Sequence, residues 1–290
     1  MRVLTLLWLL ILAWPLQAGA VDRFVSTSDG VRLHVVDVGA APAAVSATQP
    51  VLVFVPGWTM PEWIFQPQID EFSKHYRVIA IDPRGQGESD VPKTGYVYTR
   101  RGEDIAEVID SLHLQHVVLI GWSLGVLDSL TYVRMHGDAA LAGLVLIDNS
   151  VGEEPAPSAS REPSAPNGHK PLTHAEFMAA FVRGMFHRPQ SAAYLSRLTQ
   201  ICLRTPERAA NQLLAYPVPR SYWKDAVYST TRPVLYVVRP KFAGQAGNLA
   251  AHHKAAETMV VDGVGHALFV DDPARFNATL ADFLARRVGK

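Results

Sequence analysis

The apolar run Val117-Val118-Leu119-Ile120 leads straight into Gly121-Trp122-Ser123-Leu124-Gly125, after which Leu124, Leu127, Leu130 and Val133 recur at helical spacing. No other feature limits the possible fold as strongly. A buried strand that turns through a glycine-bounded serine into a helix has the layout of a nucleophile elbow. The serine there is held in a strained conformation, its hydroxyl pushed out at the top of a sheet. Glycines on either side remove the Cβ atoms that would clash where strand and helix cross. The five residues alone are a weak signal, since an ordinary tight turn can carry an idle serine. The flanking strand and helix give the pattern its weight, and Ser123 is read as a nucleophile.

Strands and helices alternate on both sides of this turn. Phe24 to Thr27 and Val31 to Val38 bracket Ser28-Asp29-Gly30 and read as an opening β-hairpin. Further strands are expected at Val51 to Val55, Tyr76 to Ile81, Gly143 to Ile147, Val234 to Val238 and Thr258 to Val261. Helices are expected at Ile64 to Lys74, Thr99 to Leu112 and Pro273 to Val288, with Asp271-Asp272 capping the last. Alternation of this kind implies a parallel sheet covered on both faces. Ala40 to Pro50 reads as a surface loop. Glu153 to Pro171, rich in Pro, Ser and Ala, has linker composition. Thr173 to about Tyr228 reads as helices without intervening strands, an insertion expected over the strand ends as a lid. Phe177, Phe181, Met185 and Phe186 mark one apolar face, and Tyr194, Leu198 and Ile201 another. The expected organisation is a core in two parts, residues 21–152 and 231–290, interrupted by a linker and lid at 153–230. A chain of 290 residues, 48% of them hydrophobic, can fill one such core.

The first 20 residues stand apart. Arg2 precedes an almost wholly apolar run from Val3 to Trp14, Pro15 breaks it, and Ala18-Gly19-Ala20 fits a signal-cleavage site. The expectation is a signal peptide at 1–20, a mature chain starting near Val21 and a periplasmic or secreted protein. An uncleaved anchor is the competing reading. The apolar run of about a dozen residues is shorter than the roughly 20 that a span requires, so no stable membrane span is expected after cleavage. A formal net charge of +0 without a long basic run argues against a nucleic-acid partner. Cys202, the only cysteine, has no partner within the chain for a disulfide and reads as a buried apolar thiol.

A serine hydroxyl holds almost no alkoxide at neutral pH and needs a base within hydrogen-bond reach. Of the 11 histidines, His266 follows a strand end and the turn Asp262-Gly263-Val264-Gly265, just before the last helix. That puts it at the sheet edge from which Ser123 emerges, and it is read as the general base. A surface histidine in a glycine-rich turn is the plainer alternative. His252 and His253 read as solvated neighbours on a polar helix. No histidine pair has the spacing of a zinc site, so no metal is expected. Acyl transfer also requires donors for a developing oxyanion. Val51 to Val55 ends in Pro56-Gly57-Trp58, which turns the Trp58 amide toward the nucleophile, and the Leu124 amide lies at the free start of the elbow helix.

Taken together, Val53-Phe54-Val55-Pro56-Gly57-Trp58, Ile81-Asp82-Pro83-Arg84-Gly85-Gln86-Gly87-Glu88-Ser89, the Gly121 to Gly125 elbow and Gly265-His266 resemble the α/β-hydrolase superfamily over nearly all of residues 24–288. The resemblance implies an eight-stranded, mostly parallel sheet with a helical cap, a Ser, acid, His order along the chain and no cofactor. Many relatives carry the acid in a turn after the seventh strand. Here Arg239 to Asn248 follows that strand, and no carboxylate appears before Glu257. A subset of the superfamily places its acid after the sixth strand instead, and Asp148, ending Leu144 to Ile147, resembles that arrangement. Glu153 and Glu154 are the reserves, and Asp148 as a turn-capping aspartate is the structural alternative. The expected activity is an exported serine hydrolase acting on a carboxylic ester or related acyl bond of a small molecule. Lactone, thioester and perhydrolase chemistry share the same residues in relatives. A non-catalytic binding protein of the same fold is the reading from a different class.

Overall fold

The computed structural model describes residues 20–39, 49–156 and 172–289. The expected signal peptide, most of the loop after the opening hairpin and most of the Pro-rich linker lie outside them. Eight strands form one sheet: β1 (Val21–Ser26), β2 (Arg32–Val38), β3 (Val51–Val55), β4 (Val78–Ile81), β5 (Val117–Trp122), β6 (Leu141–Ile147), β7 (Val234–Val238) and β8 (Ala256–Val260). Their order is β1-β2-β4-β3-β5-β6-β7-β8. The opening hairpin pairs antiparallel with itself and with β4, and β3 to β8 are parallel. The described helices are α1 (Gln66–Phe72), α2 (Tyr98–Ser111), α3 (Leu124–His136), α4 (His174–Gly184), α5 (Ala192–Cys202), α6 (Glu207–Leu213), α7 (Ser221–Ser229), α8 (Ala243–His252), α9 (Leu268–Asp271) and α10 (Pro273–Phe283). None of them is long and apolar enough to cross a membrane.

The central strands are apolar at every position because both of their faces are covered. Leu52 and Phe54 join Val118, Ile120 and Leu235 in one buried layer. Val51, Val53 and Val55 join Val117, Leu119 and Val234 in the other. This two-residue alternation divides the sheet between two cores. Among the described residues between β6 and β7 there are four helices, α4 to α7, and no strand.

Several boundaries differ from expectation for local reasons. The helix expected at Ile64 to Lys74 is a 3-10 turn over Glu62–Phe65 followed by α1, with Pro67 in the first turn of α1. The chain between α1 and β4 is a turn, so β4 starts at Val78 rather than Tyr76. The expected final helix is α10 followed by a π-helical turn at Leu284–Val288. Only Asp272 caps α10, accepting from Arg275 N. Asp271 is buried and accepts the amides of His187, Arg188 and Gly265. His253 is also buried rather than solvated, its Nε2 facing the carbonyls of Val227 and Thr230 at 2.9 and 3.1 Å. Along α4 and its C-cap, Met178, Val182 and the expected Met185 are buried, with Phe181 and Phe186 packed against the same core, whereas Phe177 is exposed.

Candidate active site

Register brings the key residues together before any side chain is considered. Trp122 of β5 pairs with Ile147 of β6, and Ile147 pairs with Val237 of β7. Ser123 and Asp148 are therefore each one residue past a paired position on neighbouring strands. Ser123 N donates to Ile147 O at 2.9 Å and Asp148 N to Val237 O at 3.0 Å, so both residues extend the ladder by one bond. Both then leave the sheet with φ in the left-handed region, +55° at Ser123 and +49° at Asp148. Non-glycine residues adopt this conformation at a cost, and it recurs at sites whose side chains must be aimed. Gly121 and Gly125 make the elbow possible. A Cβ on Gly121 would lie 2.3 Å from Gly125 O, and one on Gly125 would lie 2.2 Å from Val55 O. Asn149 braces the turn, its Nδ2 donating to Ser123 O at 2.8 Å.

The hydroxyl of Ser123 donates to His266 Nε2 at 2.8 Å, and His266 Nδ1 donates to Asp148 Oδ2 at 2.7 Å. His266 is held from above and below. Trp122 Nε1 donates to His266 O at 2.9 Å, with the two rings 5.1 Å apart, and Gly265 N donates to Asp271. The Asp148 side chain has no exposed surface. Burial pushes its carboxyl upward, but the His266 hydrogen bond and charge, with Arg239 behind them, outweigh this and hold it below the usual carboxylate range.

Arg239, one residue past β7, went unnoticed in the sequence as anything but part of a loop lacking an acid. Its Nε donates to Asp148 Oδ2 at 2.6 Å and its backbone N donates to Asp148 Oδ1 at 2.9 Å. A cation directly after β7, where many relatives carry an anion, was the available signal. Glu153 and Glu154 are engaged elsewhere: Glu153 with Tyr228 and Lys224, Glu154 with Arg220.

Among the described residues, nothing accepts a hydrogen bond from the amides of Trp58 or Leu124. Leu124 is the first residue of α3, where helix geometry leaves the N–H free. Gly57 is packed against Ser123, and a Cβ there would lie 2.9 Å from Ser123 Cβ. The Trp58 indole faces the helical insertion. Its Nε1 donates to Ala210 O at 2.7 Å, and Phe181 packs edge-on at 5.1 Å. Cys202 is buried beside Met60, its thiol pushed up to about 12 by burial, and takes no part in this row.

The described residues contain one group of potential metal-ligand side chains, His34, Glu62 and Asp82. Their atoms already bond one another and the backbone. His34 Nδ1 meets Asp82 Oδ2 at 2.8 Å, while Asp82 also accepts the amides of Glu62 and Glu88. Burial and the Asp82 charge push Glu62 up to about 8, and the hydrogen bond to Asp82 raises His34 to about 9. The cluster braces the loop after β4 through the His34–Asp82 contact and the amides that Asp82 accepts.

The Alpha/beta hydrolase family model matches residues 52–279. The chain is 31% identical over 147 residues to the AB hydrolase superfamily protein YisY of Bacillus subtilis, covering 50% of each protein. It is 34% identical over 131 residues to a 2-(acetamidomethylene)succinate hydrolase of Mesorhizobium japonicum, 44% of each. The chain thus spans half or less of the length of these curated relatives. A solved structure from Burkholderia cenocepacia, assigned as an aryl esterase, superposes with a TM-score of 0.76 at 25% identity, covering 91% of this chain and 98% of that one. An esterase from Exiguobacterium antarcticum shares the fold at a TM-score of 0.69 and 24% identity, over 90% of this chain and 98% of that one.

Proposed function

The chain belongs to the alpha/beta hydrolase family and is a hydrolase, and from that premise we propose that it is an exported serine hydrolase cleaving a carboxylic ester or related acyl bond. The observation that carries this reading is the unbroken row Ser123 Oγ, His266 Nε2, His266 Nδ1 and Asp148 Oδ2, with contacts of 2.8 and 2.7 Å.

Chemically, the row moves one proton. Ser123 Oγ attacks the acyl carbon as His266 Nε2 takes its hydrogen. Asp148 accepts from Nδ1, which holds the ring in the tautomer that leaves Nε2 basic and stabilises the imidazolium. The negative charge arising on the former carbonyl oxygen falls to the free amides of Trp58 and Leu124. Backbone donors are suited to this because they need no reorganisation as the charge develops. His266 then returns the proton to the departing alkoxide. In the second half the same nitrogen removes a proton from water as it attacks the acyl-Ser123 ester, then returns that proton to Ser123 Oγ as the acid leaves. Nothing in this cycle calls for a cofactor or a metal.

Support for an ester as substrate comes from the aryl esterase of Burkholderia cenocepacia, similar over almost its whole length. The helices between β6 and β7, pinned to Trp58, serve as the lid in this reading. Export rests on the sequence of residues 1–20 alone.

A fluorophosphonate probe tests the mechanism. The folded mature protein is expected to be labelled once, at Ser123, and Ser123→Ala to remain unlabelled. A folded wild-type protein that takes no label overturns the reading. N-terminal sequencing of the protein recovered outside the cytoplasm tests export, with a start near Val21 expected.

A further inference from the structure

The Asp148 carboxylate faces a cation as well as the imidazole. Arg239 Nε and His266 Nδ1 both donate to Asp148 Oδ2, at 2.6 and 2.7 Å, and Arg239 Nη2 lies 3.4 Å from His266 Nδ1. Nη2 and Nδ1 both carry hydrogen and do not bond each other; it is Arg239 Nε and His266 Nδ1 that share Oδ2 as acceptor. We propose that Arg239 is a positioning residue that sets the working pH of His266, clamping the Asp148 carboxylate while opposing protonation of the ring beside it. The proposal rests on the serine-hydrolase reading above.

The physical basis is a balance of charges. A carboxylate alone next to a histidine favours the imidazolium and so protonates the base at a higher pH. A guanidinium bound to the same oxygen offsets part of that effect, because the arginine stays charged at any working pH. The two-point grip, from backbone N to Oδ1 and from Nε to Oδ2, also fixes the plane of a carboxylate whose side chain is wholly buried. Arg239 is placed to do this and not to touch substrate, since it meets the ring on its Nδ1 side while the nucleophile lies at Nε2.

Other charged or titratable groups around the ring leave this balance to the pair. From β7, the Tyr236 hydroxyl donates to Asn149 O at 2.7 Å. From the turn carrying His266, Asp271 is occupied by the backbone amides of Gly265, His187 and Arg188. The Arg188 side chain pairs with Asp272 at 3.4 Å, and Asp262 is exposed. From β5, Trp122 presents an uncharged ring.

The test is the pH dependence of fluorophosphonate labelling and of p-nitrophenyl acetate hydrolysis in Arg239→Met, Arg239→Gln and Arg239→Lys, each checked for fold by circular dichroism. Loss of the cation is expected to move the acid limb of kcat/KM up by about one pH unit, equivalent to about 1.4 kcal/mol. Arg239→Lys retains the charge and should keep its limb within a few tenths of wild type. A lower rate in all three variants with an unmoved limb would mean a merely structural residue and overturns the proposal. If Arg239→Met does not fold, Arg239→Gln against Arg239→Lys carries the same comparison. Wild-type labelling separates the two levels of inference. Unlabelled wild type refutes the serine hydrolase itself, whereas labelled wild type with an unmoved limb in the variants refutes only the role of Arg239.

Discussion

Replacing Asp148 by asparagine sets up a conflict whose size follows from the hydrogen bonds. The carboxylate accepts three of them: Arg239 N on Oδ1 at 2.9 Å, and Arg239 Nε and His266 Nδ1 on Oδ2 at 2.6 and 2.7 Å. An amide has one oxygen and a nitrogen that only donates. With its oxygen at the Oδ1 position, the amide nitrogen faces both Arg239 Nε and His266 Nδ1. The ring then gains a bond only by moving its hydrogen to Nε2, aimed at Ser123, and the base is lost. A wrong tautomer of this kind costs about 10⁴ in kcat, or about 5.5 kcal/mol. With its oxygen at Oδ2, the tautomer survives, but the charge that stabilises the imidazolium is gone, a loss of about 1.5–3 kcal/mol and hence about 10- to 100-fold. The expected fall in kcat/KM for p-nitrophenyl acetate is therefore between about 10-fold and about 10⁴-fold. Glu153→Gln and Glu154→Gln should leave the rate within about twofold, because those carboxylates bind Tyr228, Lys224 and Arg220. A folded Asp148→Asn enzyme within fivefold of wild type would refute the assignment, and a collapse in Glu153→Gln would move the role there.

The other expectations concern the oxyanion turn, the buried ion pairs and pH. Gly57→Ala would press a Cβ to 2.9 Å from Ser123 Cβ and 3.2 Å from the Trp122 ring, displacing the Trp58 amide. One oxyanion donor is worth about 10²–10³ in kcat, so a fall of at least tenfold is expected with the circular dichroism spectrum unchanged; an unaltered kcat would exclude the Trp58 amide. Asp128→Asn strands Arg101, whose Nε lies 2.8 Å from that carboxylate with both side chains 2% exposed. Urea unfolding should register a loss of about 3–5 kcal/mol, and a loss under 1 kcal/mol would contradict it. Glu62, pushed up to about 8 from an ordinary 4.5, binds its proton more tightly in the folded state. Its contribution is thus complete below about pH 4.5 and lost as pH rises toward 8, at up to about 1.4 kcal/mol per unit. Glu62→Gln, permanently neutral, should flatten the fall in Tm with pH across that window, and an unchanged slope would count against it.

The fold was legible where burial is two-sided, because β3, β5, β6 and β7 have no choice but to be apolar throughout. Their expected and observed spans agree to within two residues. Legibility failed at ends and in the insertion, where tertiary contacts decide. Tyr76 is separated by Arg77 alone from the apolar run that starts at Val78, but it sits in a turn, its amide bonding to Phe72 O. His253 looks polar beside His252, yet it is buried against α7 because β8 must turn back along β7. The expected apolar face of the α4 region holds at Met185, which is buried, and at Phe181 and Phe186, which pack against the core; it fails at Phe177, which is exposed, and it omits the buried Met178 and Val182.

Ser123, His266, Asp148 and the two amides were readable because each occupies a position that backbone geometry makes recognisable. Ser123, Asp148, His266 and Trp58 lie at strand ends or in turns, and Leu124 opens a helix. Arg239 was not readable in that way, because its role depends on a bond between residues 91 positions apart in sequence. The register nonetheless explains why the partner had to come from there. Asp148 N bonds to Val237 O near the end of β7, two residues before Arg239. In the proposed reading, where the acid follows β6, the residue after β7 meets a carboxylate instead of supplying one. A cation at that position is the electrostatic counterpart of the relocated acid. The sequence feature that first looked like a missing residue, a loop after β7 without an anion, is the other half of the Asp148 site.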